Sequence, residues 1–173
     1  DYAKKQAEST NKAVYIIGRT AGEDKDNANW AGSYLLTDEE KENLKNITEA
    51  FEDVCVVLNV SNIIDLKWID EEQFKGHIKS VIIVWQGGME GGNAVAEALS
   101  GKATPSGKLP DTVAYDIEDY PANDNFGNEL TNLYKEDIYV GYRYFETFAP
   151  EKVQFEFGFG LSYTTFDIET VSA

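Results

Sequence analysis

Thirty-one Asp and Glu stand against 15 Lys and Arg, one His and one Cys, so carboxylates are the only catalytic groups in ample supply. His77 falls at the end of a short helix expected over Asp70 to His77 and reads as a surface or capping residue. No second His or Cys is present to complete a zinc site, and no Gly-x-Ser-x-Gly elbow marks a serine nucleophile. Cys55 lies inside the apolar run Val54 to Val60, where a small buried thiol is the ordinary reading. What remains is chemistry done by Asp and Glu, of which glycoside hydrolysis is the leading case. One ionised carboxylate attacks the anomeric carbon and one protonated carboxyl donates to the leaving oxygen, about 5 Å apart in retaining enzymes.

The densest mixture of such groups is GRTAGEDKDNANWAGSYLLT, which brings Arg19, Glu23, Asp24, Lys25, Asp26, Asn27 and Trp30 into one long connection. A solvated acidic loop is one reading. A sugar site is the other, because an aromatic face stacks on a pyranose ring while charged and amide groups bind hydroxyls. Trp30 and Arg19 are then the candidate substrate contacts. A second cluster, Trp85-Gln-Gly-Gly-Met-Glu-Gly-Gly-Asn93, sets Gly87, Gly88, Gly91 and Gly92 around Glu90 at a strand-to-helix turn. Its spacing is not that of a dinucleotide fingerprint, and Glu90 would place negative charge beside a phosphate. These five residues read as a structural turn, with Glu90 near the favourable N-terminal end of the next helix. The run Gly101 to Lys108 has five residues between its glycines where a P-loop has four, and Leu109 stands where Ser or Thr must bind magnesium.

The elements that would position these groups alternate. Ala13 to Ile17, Val54 to Val60 and Val81 to Trp85 are short, apolar and rich in β-branched residues, as parallel strands covered on both faces must be. Between the first two, Leu44, Ile47, Ala50 and Phe51 recur at helical spacing, and Thr37 with Glu40 forms a capping box. After the third, Ala94, Val95, Ala98 and Leu99 form a stripe that ends at Gly101, placed for a left-handed C-cap. Tyr2 to Ser9 reads as the end of a further helix. Right-handed crossovers then imply an α/β fold, a mostly parallel sheet sandwiched by helices in three layers. In such sheets ligands bind beyond the carboxyl ends of the strands, which is where the Arg19 to Trp30 connection begins.

From Ala114 onward the pattern changes to an irregular segment dense in aromatics, Gly and Asn, read as loops and short strands. Arg143 reads as an ion-pair or loop-ordering residue, and Tyr142, Tyr144, Phe155, Phe157 and Phe159 as core or edge packing. At 173 residues, 42% hydrophobic, residues 1–173 suit one domain. A net charge of −16 speaks against nucleic acid and anionic lipid as partners. The longest apolar runs, about five to seven residues, are far short of the roughly 20 that cross a bilayer. The chain does not begin with Met and opens without a signal-like apolar stretch, which reads as a piece from within a longer protein. The unpaired cysteine leans towards a cytoplasmic location and leaves a secreted parent open.

Three stretches jointly resemble the second, α/β-sandwich domain of glycoside hydrolase family 3, the β-glucosidase and β-xylosidase group. Gly22-Glu-Asp-Lys-Asp-Asn27 is similar to the family's Glu-x-x-Asp-Arg segment. WQGGMEGGNAVAEALSGKATPSGKLPDT is similar to its Gly-Gly-x-Glu-x-Gly-x-Ala turn, helix and Pro-Ser-Gly-Lys-Leu-Pro exit. YKEDIYVGYRYFE with FEFGFGLSYTTF is similar to its Gly-Tyr-Arg-Tyr segment and its Phe-Gly-x-Gly-Leu-Ser-Tyr closing strand.

The resemblance implies a site shared between domains. An aspartate nucleophile would sit on a (β/α)₈ barrel absent from this chain, and the sandwich domain would lend the general acid/base from a loop over the barrel's mouth. Carried across, that position falls on Glu23, with Asp24 as the fallback; Asn27 departs from the family's usual Arg. The implied substrate is a β-linked oligosaccharide or glycoside, hydrolysed at terminal non-reducing β-D-glycosyl residues. No metal or organic cofactor is implied. Two other readings are a non-catalytic carbohydrate-binding or domain-interface module and, with little sequence support, a flavodoxin-like nucleotide-binding domain.

Overall fold

The computed structural model describes residues 2–20 and 26–172. Helix α1 (Tyr2–Ala7) leads into strand β1 (Lys12–Gly18), helix α2 (Asp38–Ala50) and strand β2 (Asp53–Asn59); strand β3 (Ile78–Ile83) and helix α3 (Gly91–Leu99) follow. The three strands form one parallel sheet in the order β1-β2-β3, Ala13 facing Val54 and Ile17 facing Leu58. This is the α/β architecture that the apolar runs anticipate. The capping box forms as expected: Thr37 accepts from the Glu40 backbone N–H at 3.0 Å, and Glu40 accepts from the Thr37 N–H at 2.8 Å. Gly101 takes the left-handed conformation, φ 74°, just past α3.

Strand alternation gives the sheet two faces. On one, Ile17, Val54, Val56 and Leu58 are buried with Leu44 and Phe51 from the α2 region and with Ile64, Leu66, Trp68 and Phe74 from the β2–β3 connection. On the other, Val57 of β2 is buried while Val14 and Ile16 of β1 are exposed, so the expectation of strands covered on both faces is met at the central strand and not at β1 among the described residues. Topology supplies the reason. When consecutive strands are laid down in one direction, right-handed crossovers put both connections on the same side of the sheet.

Two further departures have local causes. The third strand begins at Ile78, not Val81, and ends before Trp85, whose φ of 50° turns the chain out of the sheet. The short helix expected over Asp70 to His77 is instead a 3₁₀ turn over Lys67–Asp70 followed by turns about Phe74, whose ring is buried; His77 is an exposed residue entering β3.

The irregular segment holds a two-stranded antiparallel ribbon, β4 (Val113–Ala114) with β5 (Val153–Phe155), and a helix, α4 (Tyr142–Phe148), that sequence spacing does not announce. Phe145 on α4 is fully buried and meets Tyr120 edge to face, centroids 5.4 Å apart. Tyr142 stacks on Phe157 and Phe155 lies against Phe159, so these aromatics pack on one another at the edge as expected. Arg143 departs from expectation: it is exposed and makes no ion pair or hydrogen bond among the described residues, because its turn of α4 faces solvent.

The Pro-Ser-Gly-Lys-Leu and Phe-Gly-Phe-Gly motifs are partners. The Leu109 N–H donates to the Phe159 carbonyl and the Gly158 N–H to the Leu109 carbonyl, both at 2.8 Å. Gly160 lies so close to this segment that a Cβ there would stand 2.6 Å from the Gly107 carbonyl oxygen. Gly160→Ala is therefore expected to cost about 1–3 kcal/mol through overpacking against backbone. Denaturant unfolding checks this, and an unchanged midpoint would show that the 107–109 segment yields freely.

Candidate functional site

The connection after β1 opens at the carboxyl end of the sheet, where the Arg19 N–H bonds the Asn59 carbonyl and joins the exits of β1 and β2. Glu23 and Asp24 lie outside the described residues. The chain on either side of them is described, and both sides are fixed. Before them, Arg19 Nη1 and Nη2 grip the Glu40 carboxylate at 2.6 and 2.8 Å, while Nε, Nη1 and Nη2 donate to the carbonyls of Ser33, Gly18 and Leu35. After them, the Asn27 side-chain amide donates to the Ile63 carbonyl at 2.7 Å and Asn29 donates to Glu118 at 2.9 Å.

Arg19 thus spends all five guanidinium donors inside the fold and ties the end of β1 to Ser33, Leu35 and Glu40; none is left for a sugar hydroxyl in this arrangement. The other anticipated contact, Trp30, is 64% exposed, with its indole free to offer a face. Asp26 is exposed as well. Asn27, where the family pattern has Arg, holds the loop to the segment after β2, a role its short amide can fill by one hydrogen bond.

Electrostatics follow from burial at this end of the sheet. Burial pushes the Glu40 carboxyl up, but the Arg19 hydrogen bonds and the Thr37 N–H outweigh it and hold its pKa below the ordinary carboxylate value. Asp65, half-buried nearby, is raised by desolvation despite the Lys67 backbone N–H. Tyr34 is 2% exposed and its phenol is pushed strongly upward by burial, then by the neighbouring Tyr120, Asp65, Asp116 and Asp119. Its hydroxyl has no hydrogen-bond partner among the described residues. Tyr34→Phe is accordingly expected to change stability by less than about 1 kcal/mol or to raise it, since an unpaired buried hydroxyl carries a desolvation penalty. A clear drop in the denaturant midpoint would show that the hydroxyl holds an unseen bond.

At the glycine turn the close approach that glycine permits is internal: a Cβ on Gly87 would lie 2.9 Å from Gly91 Cα, and the Gly91 N–H donates to the Gly88 carbonyl. Glu90 occupies the N-cap position of α3 but makes no cap bond to backbone; its carboxylate accepts instead from the Asn93 side-chain amide. Among the described residues no group of three or more His, Cys, Asp or Glu could hold a metal ion, and no helix is long and apolar enough to cross a membrane.

A profile of the "Glycosyl hydrolase family 3 C-terminal domain" matches residues 1–142. This chain belongs to that family. Among its curated relatives, a "Beta-glucosidase" of Ruminococcus albus is 54% identical over 165 residues, 95% of this chain and 17% of that protein. "Beta-glucosidase A" of Butyrivibrio fibrisolvens is 49% identical over 145 residues, 82% of this chain and again 17% of the relative. The crystal structure of a β-glucosidase from Paenibacillus barengoltzii superposes with a TM-score of 0.90 at 60% identity, over 94% of this chain and 18% of that one. That of β-glucosidase 3B from Thermotoga neapolitana in complex with glucose gives 0.84 at 37%, over 94% of this chain and 23% of that one. The family 3 C-terminal domain described here therefore spans less than a quarter of each of these proteins.

The residues that sequence reasoning missed are those that fix the loop from outside it. Glu40 is legible only as a capping-box member, and its second role, as the carboxylate that receives Arg19, leaves no trace in spacing because the two are 21 residues apart. Asn29 and Glu118 meet across 89 residues.

Proposed function

We propose that these 173 residues are one domain of a larger retaining β-glycosidase that hydrolyses terminal non-reducing β-D-glycosyl residues from a β-linked oligosaccharide or glycoside. In this reading Glu23 is the general acid/base, with Asp24 as the fallback, and it works opposite an Asp nucleophile on a (β/α)₈ barrel elsewhere in the parent polypeptide. The observation that carries it is 54% identity across 95% of the chain to a protein named beta-glucosidase. The anchoring of the Glu23 connection on both sides at the carboxyl end of the sheet supports it, because a proton donor must be held in a fixed place to serve a site on another domain.

The chemistry asks two things of such a carboxyl. It must be protonated when the glycosidic oxygen leaves and ionised when water attacks the glycosyl intermediate. A Glu on an open polar loop stays near a pKa of about 4.3 and is mostly ionised at neutral pH. Closure by the barrel and the charge of its nucleophile raise the affinity of Glu23 for a proton, so the domain by itself is inactive and the acid is competent only in the whole enzyme. Trp30, exposed beside the connection, contributes an aromatic face to the substrate, and Arg19 acts by holding the loop. The test is hydrolysis of an unactivated β-glycoside by the full-length parent with Glu23 replaced by Gln. Undiminished turnover would remove Glu23 from the chemistry and favour a module that only positions substrate.

A further inference from the structure

We infer that Trp85, at the carboxyl end of β3, is a positioning residue for hydrolysis: its indole supports the segment 60–66, and that segment in turn fixes the connection after β1 through two hydrogen bonds. This inference rests on the reading that the connection carries the acid/base, and it names a residue on another strand that sets the connection's place. The backbone of Trp85 is left-handed, φ 50°, a conformation that a bulky residue keeps only where its surroundings hold it there. Those surroundings are close. The Val84 N–H donates to the Leu58 carbonyl at 2.9 Å, so the chain is still tied to β2 one residue before the turn. Trp85 itself is half-buried, packs against the main core, and lines an apolar cavity of about 10 Å³ with Val60, Ile63, Ile64, Ile83 and Val113. A space of that size is at the limit for one water and offers it no polar partner, so the indole and its neighbours close the pocket almost completely.

The same segment is bound to the connection after β1. The Asn27 side-chain amide donates to the Ile63 carbonyl at 2.7 Å, and the Asp65 N–H donates to the Tyr34 carbonyl at 2.9 Å. Ile63 therefore belongs to both contacts: its side chain shares the pocket with Trp85 while its carbonyl receives Asn27. Beyond Asn27 the connection is bonded to itself. The Trp30 and Tyr34 N–H groups both donate to the Ala28 carbonyl, at 2.7 and 3.2 Å, and the Leu35 N–H donates to the Trp30 carbonyl at 3.1 Å. A stretch so bonded moves as a unit, and a close-packed pocket passes a displacement on because it has no slack to absorb it. A smaller side chain at position 85 leaves the 60–66 segment without its support, and the carbonyl that anchors Asn27 shifts with it.

The experiment compares Trp85→Leu, Trp85→Phe and Asn27→Ala in the full-length parent, by kinetics on an alkyl β-glucoside and on a dinitrophenyl β-glucoside and by hydrogen exchange of peptides 26–37 and 60–66. Trp85→Leu is expected to lower kcat/KM on the alkyl glucoside by about 10- to 10²-fold, the cost of a small misplacement far from the chemistry. On the dinitrophenyl glucoside, whose leaving group departs without a proton, the loss should be less than about 3-fold. Exchange should quicken in both peptides. Trp85→Phe keeps a ring in the pocket and should retain most of the rate. Asn27→Ala leaves the core intact and should show the same dependence on leaving group, which keeps the inference testable if Trp85→Leu folds poorly. An equal loss on both substrates, as a residue that serves only folding gives, would overturn the inference. So would unchanged exchange of 26–37 in Trp85→Leu, or an Asn27→Ala enzyme indistinguishable from wild type. The reading beneath it fails separately: if Glu23→Gln keeps full turnover while Trp85→Leu still discriminates between leaving groups, another residue of the connection is the acid/base and the role of Trp85 stands.

Discussion

Glu23→Ala in the full-length parent is expected to lower kcat on an unactivated β-glucoside by 10²-fold or more while barely affecting release of a good leaving group in the first step. The asymmetry follows from what the carboxyl supplies. An alkoxide leaves poorly without a proton, whereas a nitrophenolate is stable enough to depart unaided, so the glycosylation step loses its dependence on the acid. The second step still needs a base to deprotonate water, and with Glu23 gone it becomes limiting. Azide, which attacks without a base, should then restore turnover of the activated substrate and yield the β-glycosyl azide. The alkaline limb of the pH profile should disappear as well, since that limb reports loss of the donor's proton. If azide rescues nothing and the limb persists, Asp24 becomes the residue to replace; if that variant too keeps normal turnover, the acid lies elsewhere in the parent.

Arg19→Ala is expected to destabilise this domain by about 3–5 kcal/mol, the range found when one member of a buried ion pair is removed. The side chains of Arg19 and Glu40 are only 9 and 19% exposed, so truncation leaves a carboxylate in a site with little access to water. Three backbone carbonyls lose a donor at the same time. For a domain of this size that corresponds to a fall in Tm of roughly 6–20 °C. Lys at this position should restore little, because an ammonium cannot grip both carboxylate oxygens and reach the carbonyls as a planar fork does. The pH dependence has a definite sign. The folded pKa of Glu40 lies below its ordinary value of 4.5, so the stabilisation is present above that value and is lost as pH falls through the lowered one. Arg19→Ala should therefore flatten the acid limb of the stability profile. A variant that melts within 2 °C of wild type would show the pair to be dispensable.

Much of the fold was readable because its signals are local. Apolar β-branched runs gave β1 and β2 to within about a residue, Thr37 with Glu40 gave the start of α2, and Gly101 gave the stop of α3. Helix α4 escaped because YRYFETF is built from aromatics that favour strands by local propensity, and what makes it helical is burial of Phe145 against Tyr120 and the α4 contacts that follow. The exposed face of β1 escaped too: Val14 and Ile16 are as apolar as their buried neighbours, so composition alone could not say which face finds a cover.

The amino-acid sequence by itself determined the family to which this chain belongs and the order of strands and helices that places a loop at the carboxyl end of a parallel sheet. Only the tertiary structure decided which residues hold that loop. Arg19 with Glu40, Asn27 with the Ile63 carbonyl, Asn29 with Glu118 and Gly160 with Gly107 join positions tens of residues apart. Such pairings carry no period in the sequence, because each forms only when the sheet and its connections have brought the two backbones within hydrogen-bonding or van der Waals reach.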